Sequence, residues 1–310
     1  MKKKVLIAID NSLQASRALG YAARLAAEIP EMHYDLLYIQ PAVSGYLLEE
    51  AERSAKARSD LERLLRKNQS AAHELLEKYR EQLVRFGLAP ERFSAQTRPR
   101  HLAVADDILT LSQAAAYDAI LVGRRGVTYL QELFTGSVTA NLVNHSTLTP
   151  IWIVDGDVSA TSVLLAVDGS PGSLRALDHV AFMLGGECRS RIQMLHVQPR
   201  LQEYCTIDPA DPEEPEVEAI VLDADRRCIE NFCGQAKAIL TKCGIEEDRV
   251  ALKTVSGGLL TAKAILDEVR LGGYGTVVMG KSGISQSRLF GSVSAKVLQK
   301  AQDLAVWFVP

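Results

Sequence analysis

The sequence predicts an α/β protein made of two tandem, doubly wound sheets, each with five parallel strands. Apolar runs of strand length alternate with helix-like segments along all 310 residues, as in folds that place helices on both faces of a parallel sheet. The length suits about two domains. The second half also repeats the first in element order and in spacing, which indicates an internal duplication.

Each half begins with a strand that is apolar at successive positions, which indicates burial on both faces of a sheet. These first strands are residues 5–10 (VLIAID) and 163–168 (VLLAVD). Helix-like segments follow at 13–28 and 173–184. The second strands are predicted at 34–39 and 192–197, the third at 92–97 and 250–255, the fourth at 119–122 and 276–279, and the fifth at 151–154 and 306–309.

The offset between equivalent residues shows where the two copies differ in length. It is 158 from Asp10 to Asp168, 157 from Gly123 to Gly280 and 155 from Trp152 to Trp307. The offset falls by two within the loop after the fourth strand, so the second copy has the shorter loop. The join lies at 155–161, and the predicted domains are 1–156 and 160–310.

The halves differ most between their second and third strands. Residues 44–86 carry apolar positions three and four apart, with charges between them, which predicts helix. One unbroken helix of that length would span roughly 60 Å, so two helices or one long exposed helix both fit. In the second half, residues 208–215 (DPADPEEP) predict an acidic, proline-rich loop. The simplest interpretation is a solvated helix face at 44–86 and a plain loop at 208–215. The alternative is an element that docks a partner.

Two glycine motifs follow the fourth strands and precede helix-like segments. The first is Gly123 and Gly126, then nine residues, then Gly136 and Ser137; the second is Gly280 and Gly283, then seven residues, then Gly291 and Ser292. Glycines without a Cβ let backbone approach a ligand. A serine at a helix start caps the helix and, with nearby N–H groups, suits phosphate oxygens. Tight turns alone are the alternative explanation.

Asp10 ends the first strand, which lies beside the fourth strand in the usual doubly wound order. Ligands bind at that switch point, and a carboxylate there suits ribose hydroxyls or a metal that phosphates carry. Asp168 holds the same place in the second half. Arg124 and Arg125, inside the first glycine motif, either neutralise phosphates or project into water.

Taken together, the Asp-ended strand and the glycine motif resemble the universal stress protein family, whose nucleotide-binding members carry Gly-x2-Gly-x9-Gly-(Ser/Thr). The first motif matches this spacing, and the second matches it less two residues. The resemblance covers nearly the whole chain as a tandem pair. It implies a Rossmann-like fold of the adenine nucleotide alpha-hydrolase type.

The resemblance also implies a ligand and roles for residues. The ligand would be ATP, or ADP or AMP, with or without Mg²⁺. Ile39 and Val197 would contact the base, and Asp10 and Asp168 would face adenine or ribose. The phosphates would be held by the glycine motifs, with Ser137 and Val138 in the first half and Ser292 and Val293 in the second. Members of the family commonly dimerise by pairing their fifth strands, so here the strands at 151–154 and 306–309 would pair within one chain. A homodimer is also expected.

The function that these features favour is a stress-response regulator that binds an adenine nucleotide without dedicated catalysis. A scaffold without nucleotide and a slow ATPase stay open as alternatives. His145 and His196 lie near no nucleophile motif and are predicted to be structural. A formal P-loop match at 275–282 is discounted because its four middle residues are predicted to form a buried strand. No His, Cys or Asp cluster has metal-ligand spacing.

Composition limits the remaining classes. The net charge of −3 favours no nucleic-acid or membrane partner. The basic start at 2–4 is followed by an apolar run too short for a signal peptide, so the sequence predicts a cytoplasmic protein. The five cysteines include no CxxC pair. They are predicted to be reduced thiols, with a redox switch as the alternative.

Overall fold

The structure is a computed structural model that describes residues 2–124, 138–158, 162–186, 188, 190–200, 214–256, 260–281 and 291–310. The chain divides into two compact units. The first consists of Met1–Ala27 and Glu31–Asp155, and the second of Glu28–Pro30 and Gly156–Pro310. None of the helices in the described ranges is long and apolar enough to cross a membrane.

The first unit holds five parallel strands in the order β3-β2-β1-β4-β5. The strands β1 to β5 are Lys3–Ala8, Met32–Ile39, Phe93–Arg98, Ala119–Gly123 and Ile151–Asp155. The helices α1 to α5 are Leu13–Glu28, Gly45–Arg53, Ala55–Arg85, Val104–Ala114 and Val138–His145. A 3-10 turn at Pro90–Arg92 leads into β3, which is why this strand begins one residue later than the sequence predicts.

The second unit repeats this order as β8-β7-β6-β9-β10, again with parallel pairs. The strands β6 to β10 are Val163–Val167, Ile192–Gln198, Val250–Ser256, Thr276–Gly280 and Leu304–Val309. The helices α6 to α9 are Pro171–Leu184, Glu214–Lys242, Thr261–Gly272 and Ser292–Lys300, with a 3-10 turn at Glu247–Arg249. The predicted α/β class with parallel sheets is confirmed.

The central strands are apolar because both of their faces are covered. Val5, Leu6 and Ile7 of β1 have no solvent exposure, and Val163, Leu164 and Leu165 of β6 have none either. Each unit also buries one tryptophan completely, Trp152 in β5 and Trp307 in β10. Burial of such side chains contributes about 25 cal/mol per Å² of apolar surface, and it holds the helices against the sheet.

Residues 44–86 form two helices, one of the two arrangements that the sequence leaves open. They separate at Ser54, whose extended backbone (φ −134°, ψ 125°) breaks the helix and whose side chain caps α3 by accepting from the Ala57 N–H. Helix α3 has 31 residues. Its second half buries an apolar stripe at Ala72, Leu75, Leu76, Tyr79 and Leu83, whereas Ala57 is the one buried residue of its first seventeen.

The second unit holds a long helix that the sequence analysis does not predict. Helix α7 has 29 residues and begins at Glu214, so the last two residues of the predicted loop at 208–215 are helical. Proline is tolerated in the first turn of a helix because the N–H that it lacks has no partner there. Residues 201–213 lie outside the described part of the chain.

Candidate functional site

The carboxyl ends of β1 and β4 meet at one edge of the first unit's sheet. Ala8 pairs with Val122, so Asp10, two residues beyond β1, lies at the same edge as Gly123, the last residue of β4. The chain runs from β1 to β2 on one side, and β4 lies on the other side. This is the switch point of a doubly wound sheet.

The β1–α1 turn folds around the carboxylate of Asp10. The Ser12 hydroxyl donates to the Asp10 carboxylate and accepts from the Ala15 N–H at 3.2 Å, so it also caps α1. The carboxylate is therefore oriented by its own turn. The role predicted for Asp10, to face adenine or ribose, stays a prediction.

Helix α3 bonds directly to this turn. The Tyr79 hydroxyl donates to the backbone oxygens of Asp10 and Ser12, at 2.8 Å and 3.2 Å, and the Lys78 Nζ donates to the Asn11 side-chain oxygen at 3.1 Å. Tyr79 is fully buried, and burial raises the pKa of its hydroxyl. Sequence reasoning places Tyr79 only on an apolar stripe, although a buried tyrosine usually needs a partner for its hydroxyl.

Gly123 is required by packing between β4 and α1. A Cβ at this position would overlap the backbone oxygen of Gln14, in the first turn of α1. Arg124, the next residue, does not project into water: its side chain is 14% exposed and forms an ion pair with Asp155 at 3.4 Å. Of the two alternatives predicted for Arg124, projection into water is therefore wrong, and neutralisation of phosphates stays a prediction. Arg125 lies outside the described residues.

The second unit has the same arrangement at β6 and β9. Leu165 pairs with Val278, so Asp168, which follows β6, and Gly280, which ends β9, share an edge. A Cβ at Gly280 would lie 2.9 Å from the backbone carbon of Gly172 in the first turn of α6. Gly172 and Gln14 are equivalent residues at the offset of 158, so the same close approach occurs in both units.

The carboxylate of Asp168 is also oriented by its turn. Its Oδ1 accepts from the Ser170 N–H at 3.0 Å and from the Ser173 hydroxyl at 2.6 Å. Gly169 has φ +75°, a backbone conformation that favours glycine. Ser170 caps α6 and Pro171 begins it, which extends this helix two residues beyond the predicted start at 173.

Helix α9 begins directly at the predicted phosphate position. Gly291 is its N-cap residue, and the Gly291 N–H donates to the Lys281 oxygen at 3.0 Å. Ser292 is exposed and Val293 is half-buried. A glycine cap offers no side-chain acceptor for the first N–H groups of a helix, and Gly291 forms no side-chain cap bond to them. Behind them, the Ser294 hydroxyl donates to the Gly280 oxygen at 3.2 Å.

The remaining predicted residues divide into two groups. Ile39 and Val197 end or nearly end β2 and β7, beside β1 and β6, and both are half-buried. Val138 begins α5 and is 37% exposed. Gly126, Gly136, Ser137 and Gly283 lie outside the described residues.

In the second unit, two side chains of α7, Asp225 and Cys228, contact residues at the edge of the site. His196 is buried, with Nδ1 3.1 Å from the Val167 oxygen and Nε2 2.9 Å from Asp225 Oδ2. Cys228 packs its sulfur against Gly169 so closely that no Cβ would fit there. Asp225 and Cys228 are missed because α7 itself is not predicted.

The described cysteines are free thiols: Cys188, Cys228, Cys233 and Cys243. Burial first, and then the charges of Asp225 and Asp168, raise the pKa of Cys228, which disfavours the reactive thiolate. In the described ranges, no group of three or more His, Cys, Asp or Glu side chains is arranged to hold a metal ion.

The fold and this edge define the class of the protein: two tandem, doubly wound α/β units, each with a glycine-ended strand and an oriented aspartate at its switch point. The model of the universal stress protein family matches residues 1–155 and 160–307, so the chain belongs to that family as a two-domain member.

Known relatives agree with this assignment. The universal stress protein YxiE of Bacillus subtilis (strain 168) is 26% identical over 160 residues, which cover 50% of this chain and 99% of YxiE. A universal stress protein from Archaeoglobus fulgidus DSM 4304 has the same fold along 98% of this chain and 97% of its own, with a TM-score of 0.66 and 20% identity.

A further universal stress protein from Archaeoglobus fulgidus has been solved in complex with dAMP. It covers 49% of this chain and 99% of its own, at 20% identity and a TM-score of 0.32. The bound nucleotide is a property of that protein.

Proposed function

We propose that this protein is a stress-response regulator that binds an adenine nucleotide, ATP in the first instance, at the switch points of its two units. One observation carries the proposal. In each unit, the first glycine of the family's motif is the last residue of the fourth strand. The strand next to it in the sheet is the one that leads to the aspartate. The dAMP complex described above concerns another protein. The support here is the geometry of this chain together with its motif.

The second unit supplies the more complete view of a phosphate position. Gly280 and Gly291 bracket the motif, and the exposed Ser292 follows at the start of α9. The N–H groups of a helix start favour an anion by about 0.3–1 kcal/mol per contact, so several must act together. The polyphosphate of ATP offers several oxygens to such a set.

The aspartates are proposed to meet the nucleoside rather than a metal. Serine groups of the same turns already donate to both carboxylates, which orients them as acceptors at the sheet edge. Ribose hydroxyls are suitable donors for such acceptors. Mg²⁺, in this proposal, arrives on the nucleotide phosphates.

The decisive experiment is mass spectrometry of the nucleotide released from purified protein, combined with a thermal shift on adding ATP. Co-purified adenine nucleotide and a raised melting temperature are expected. A protein with no nucleotide and no shift would contradict the proposal. ADP that accumulates with time and disappears in an Asp10→Ala variant would instead indicate a slow ATPase.

A scaffold role is the second candidate, and one observation favours it. The first half of α3 exposes Leu64 and Leu65, although a helix usually buries such residues against a neighbour. Purified protein that contains no nucleotide and still self-associates would favour this role. The homodimer, the pairing of the fifth strands and the cytoplasmic location stay predictions.

A further inference from the structure

We propose that His196 and Asp225 are positioning residues for the second unit's nucleotide site, an inference that rests on the function proposed above. Together they form a bridge, here called the His196–Asp225 bridge, from α7 to the end of β6. One ring nitrogen lies 2.9 Å from Asp225 Oδ2 and the other 3.1 Å from the Val167 oxygen. Val167 directly precedes Asp168, so the bridge ends on the residue that leads into the site.

The two partners of the ring are a backbone carbonyl, which only accepts hydrogen bonds, and a carboxyl group. They lie on opposite sides of the imidazole, one at each ring nitrogen. The side chains of His196 and Asp225 are 4% and 12% exposed. Hydrogen bonds are stronger in a buried place than in water, and the two partners together fix the orientation of the ring.

A second contact joins α7 to the same turn. The Cys228 sulfur fills the space that a Cβ at Gly169 would occupy, three residues along α7 from Asp225. Asp168 takes its orientation from Ser170 and Ser173 in this turn. A shift of α7 therefore disturbs the turn, and a disturbed turn misplaces the carboxylate that is proposed to meet the ribose.

The comparison with the first unit separates this role from that of an ordinary core histidine. The residue equivalent to His196 is Tyr38, which is half-buried. There the Tyr79 hydroxyl donates directly to the backbone of the equivalent turn. The two units use different side chains to hold the same turn, so the turn is what both arrangements have in common.

Two substitutions divide the bridge between its ends. His196→Asn keeps a donor near the Nδ1 position, which faces Val167, and loses the bond to Asp225. His196→Gln keeps a donor near the Nε2 position and loses the bond to Val167. The matched control is His145→Asn, because His145 forms an exposed pair with Asp106 at 3.6 Å, at the far end of α5.

The experiment is hydrogen exchange of the full chain, titrated with ATP. In the wild type, ATP is expected to protect peptides that contain residues 167–170. The ATP concentration for half-maximal protection should rise about tenfold in both His196 variants, as expected for loss of one buried hydrogen bond. Without ATP, the Asn variant should exchange faster at 219–229, and the Gln variant faster at 167–170. His145→Asn should change neither.

Three results decide the matter. Variants that only melt earlier, with an unchanged ATP midpoint, would overturn the positioning role. A wild type that ATP does not protect would overturn the proposed function for this unit. In that case hydrogen exchange without ATP still tests whether the bridge links α7 to the turn. Faster exchange in different segments of the two His196 variants would support the link. The same exchange pattern in both variants would contradict it.

Discussion

The two units build the same turn at the same sheet edge and hold it with different chemistry. In the first unit one phenol, Tyr79, reaches from the long helix to two backbone oxygens. In the second unit the equivalent helix, α7, acts through His196 and through Cys228 packed on Gly169. The turn and its aspartate are alike, so the difference shows that the duplicated fold constrains the edge more tightly than the residues that support it.

The largest expected difference between the units is their response to acid. His179 in α6 is buried against Trp307, with ring centres 5.8 Å apart, and burial lowers its pKa to about 3. The equivalent residue of the first unit is Tyr21, also buried. Above pH 6.5 His179 is neutral in both folded and unfolded chains and contributes nothing. Below it, the unfolded chain takes up a proton that the folded chain does not.

The second unit should therefore lose up to about 1.4 kcal/mol of stability for each pH unit between roughly 6.5 and 3. Urea unfolding of a Trp152→Phe variant, followed through Trp307, measures this unit alone. His179→Phe should remove the dependence that this residue causes. A His179→Phe protein with the wild-type slope would show that other groups control the acid response.

The next largest effect concerns the glycines at the ends of β4 and β9. Gly123→Ala should cost about 2–3 kcal/mol, because its Cβ would overlap the Gln14 backbone, which lies closer than Gly172 does to Gly280. Gly280→Ala, with its contact at 2.9 Å, should cost about 1 kcal/mol.

Gly234→Ala is the control for these two variants. It lies within α7 with nothing near its Cβ position, so alanine should stabilise the helix by about 0.5–1 kcal/mol. Urea unfolding of each variant gives the comparison. Equal costs at Gly123 and Gly280 would mean that the two close approaches relax alike.

Removal of the Tyr79 hydroxyl should have a smaller effect. Tyr79→Phe keeps the ring in its buried stripe and takes away the donor to Asp10 and Ser12, at a cost of about 1–2 kcal/mol. Unfolding followed through Trp152 in a Trp307→Phe background measures it. An unchanged first unit would show that water replaces the phenol at this turn.

The last comparison concerns nucleotide binding, where the expected effect leaves the fold intact. Gly136→Val should weaken ATP binding about tenfold without unfolding the first unit, because a branched side chain would occupy phosphate space. Gly291→Val tests the shorter loop of the second unit, where a weaker effect is expected. Calorimetry with ATP measures both, and an unchanged affinity in Gly136→Val would argue against the placement of the site.

Much of the fold can be predicted from the sequence because burial leaves a local pattern. The strands around Val5 and Val163 are apolar on both faces, and the offsets of 158, 157 and 155 identify equivalent residues from the sequence alone. The placement of Asp10 beside Gly123 follows from the strand order alone. These features depend on the hydrophobic pattern, on the internal repeat and on the order of the strands, and all three can be read from one sequence.

The supports of the site could not be predicted in the same way. Tyr79 and Asp10 are 69 residues apart, and His196 and Asp225 are 29 apart. Whether such residues meet depends on the position at which a helix packs against the sheet, and the local sequence pattern does not give that position. In the second half the prolines at 209–215 indicate a loop and conceal the start of α7. The packing of Gln14 on Gly123 could not be predicted either. A glycine at this position is equally consistent with the approach of a ligand and with the approach of a helix.

Helix α3 connects a buried turn with open solvent. Near one end it carries Lys78 and Tyr79 on the Asp10 turn, and its first seventeen residues are almost entirely exposed. A continuous helix of 31 residues is about 46 Å long. One element therefore both supports the turn that orients the Asp10 carboxylate and presents a largely exposed surface far from it.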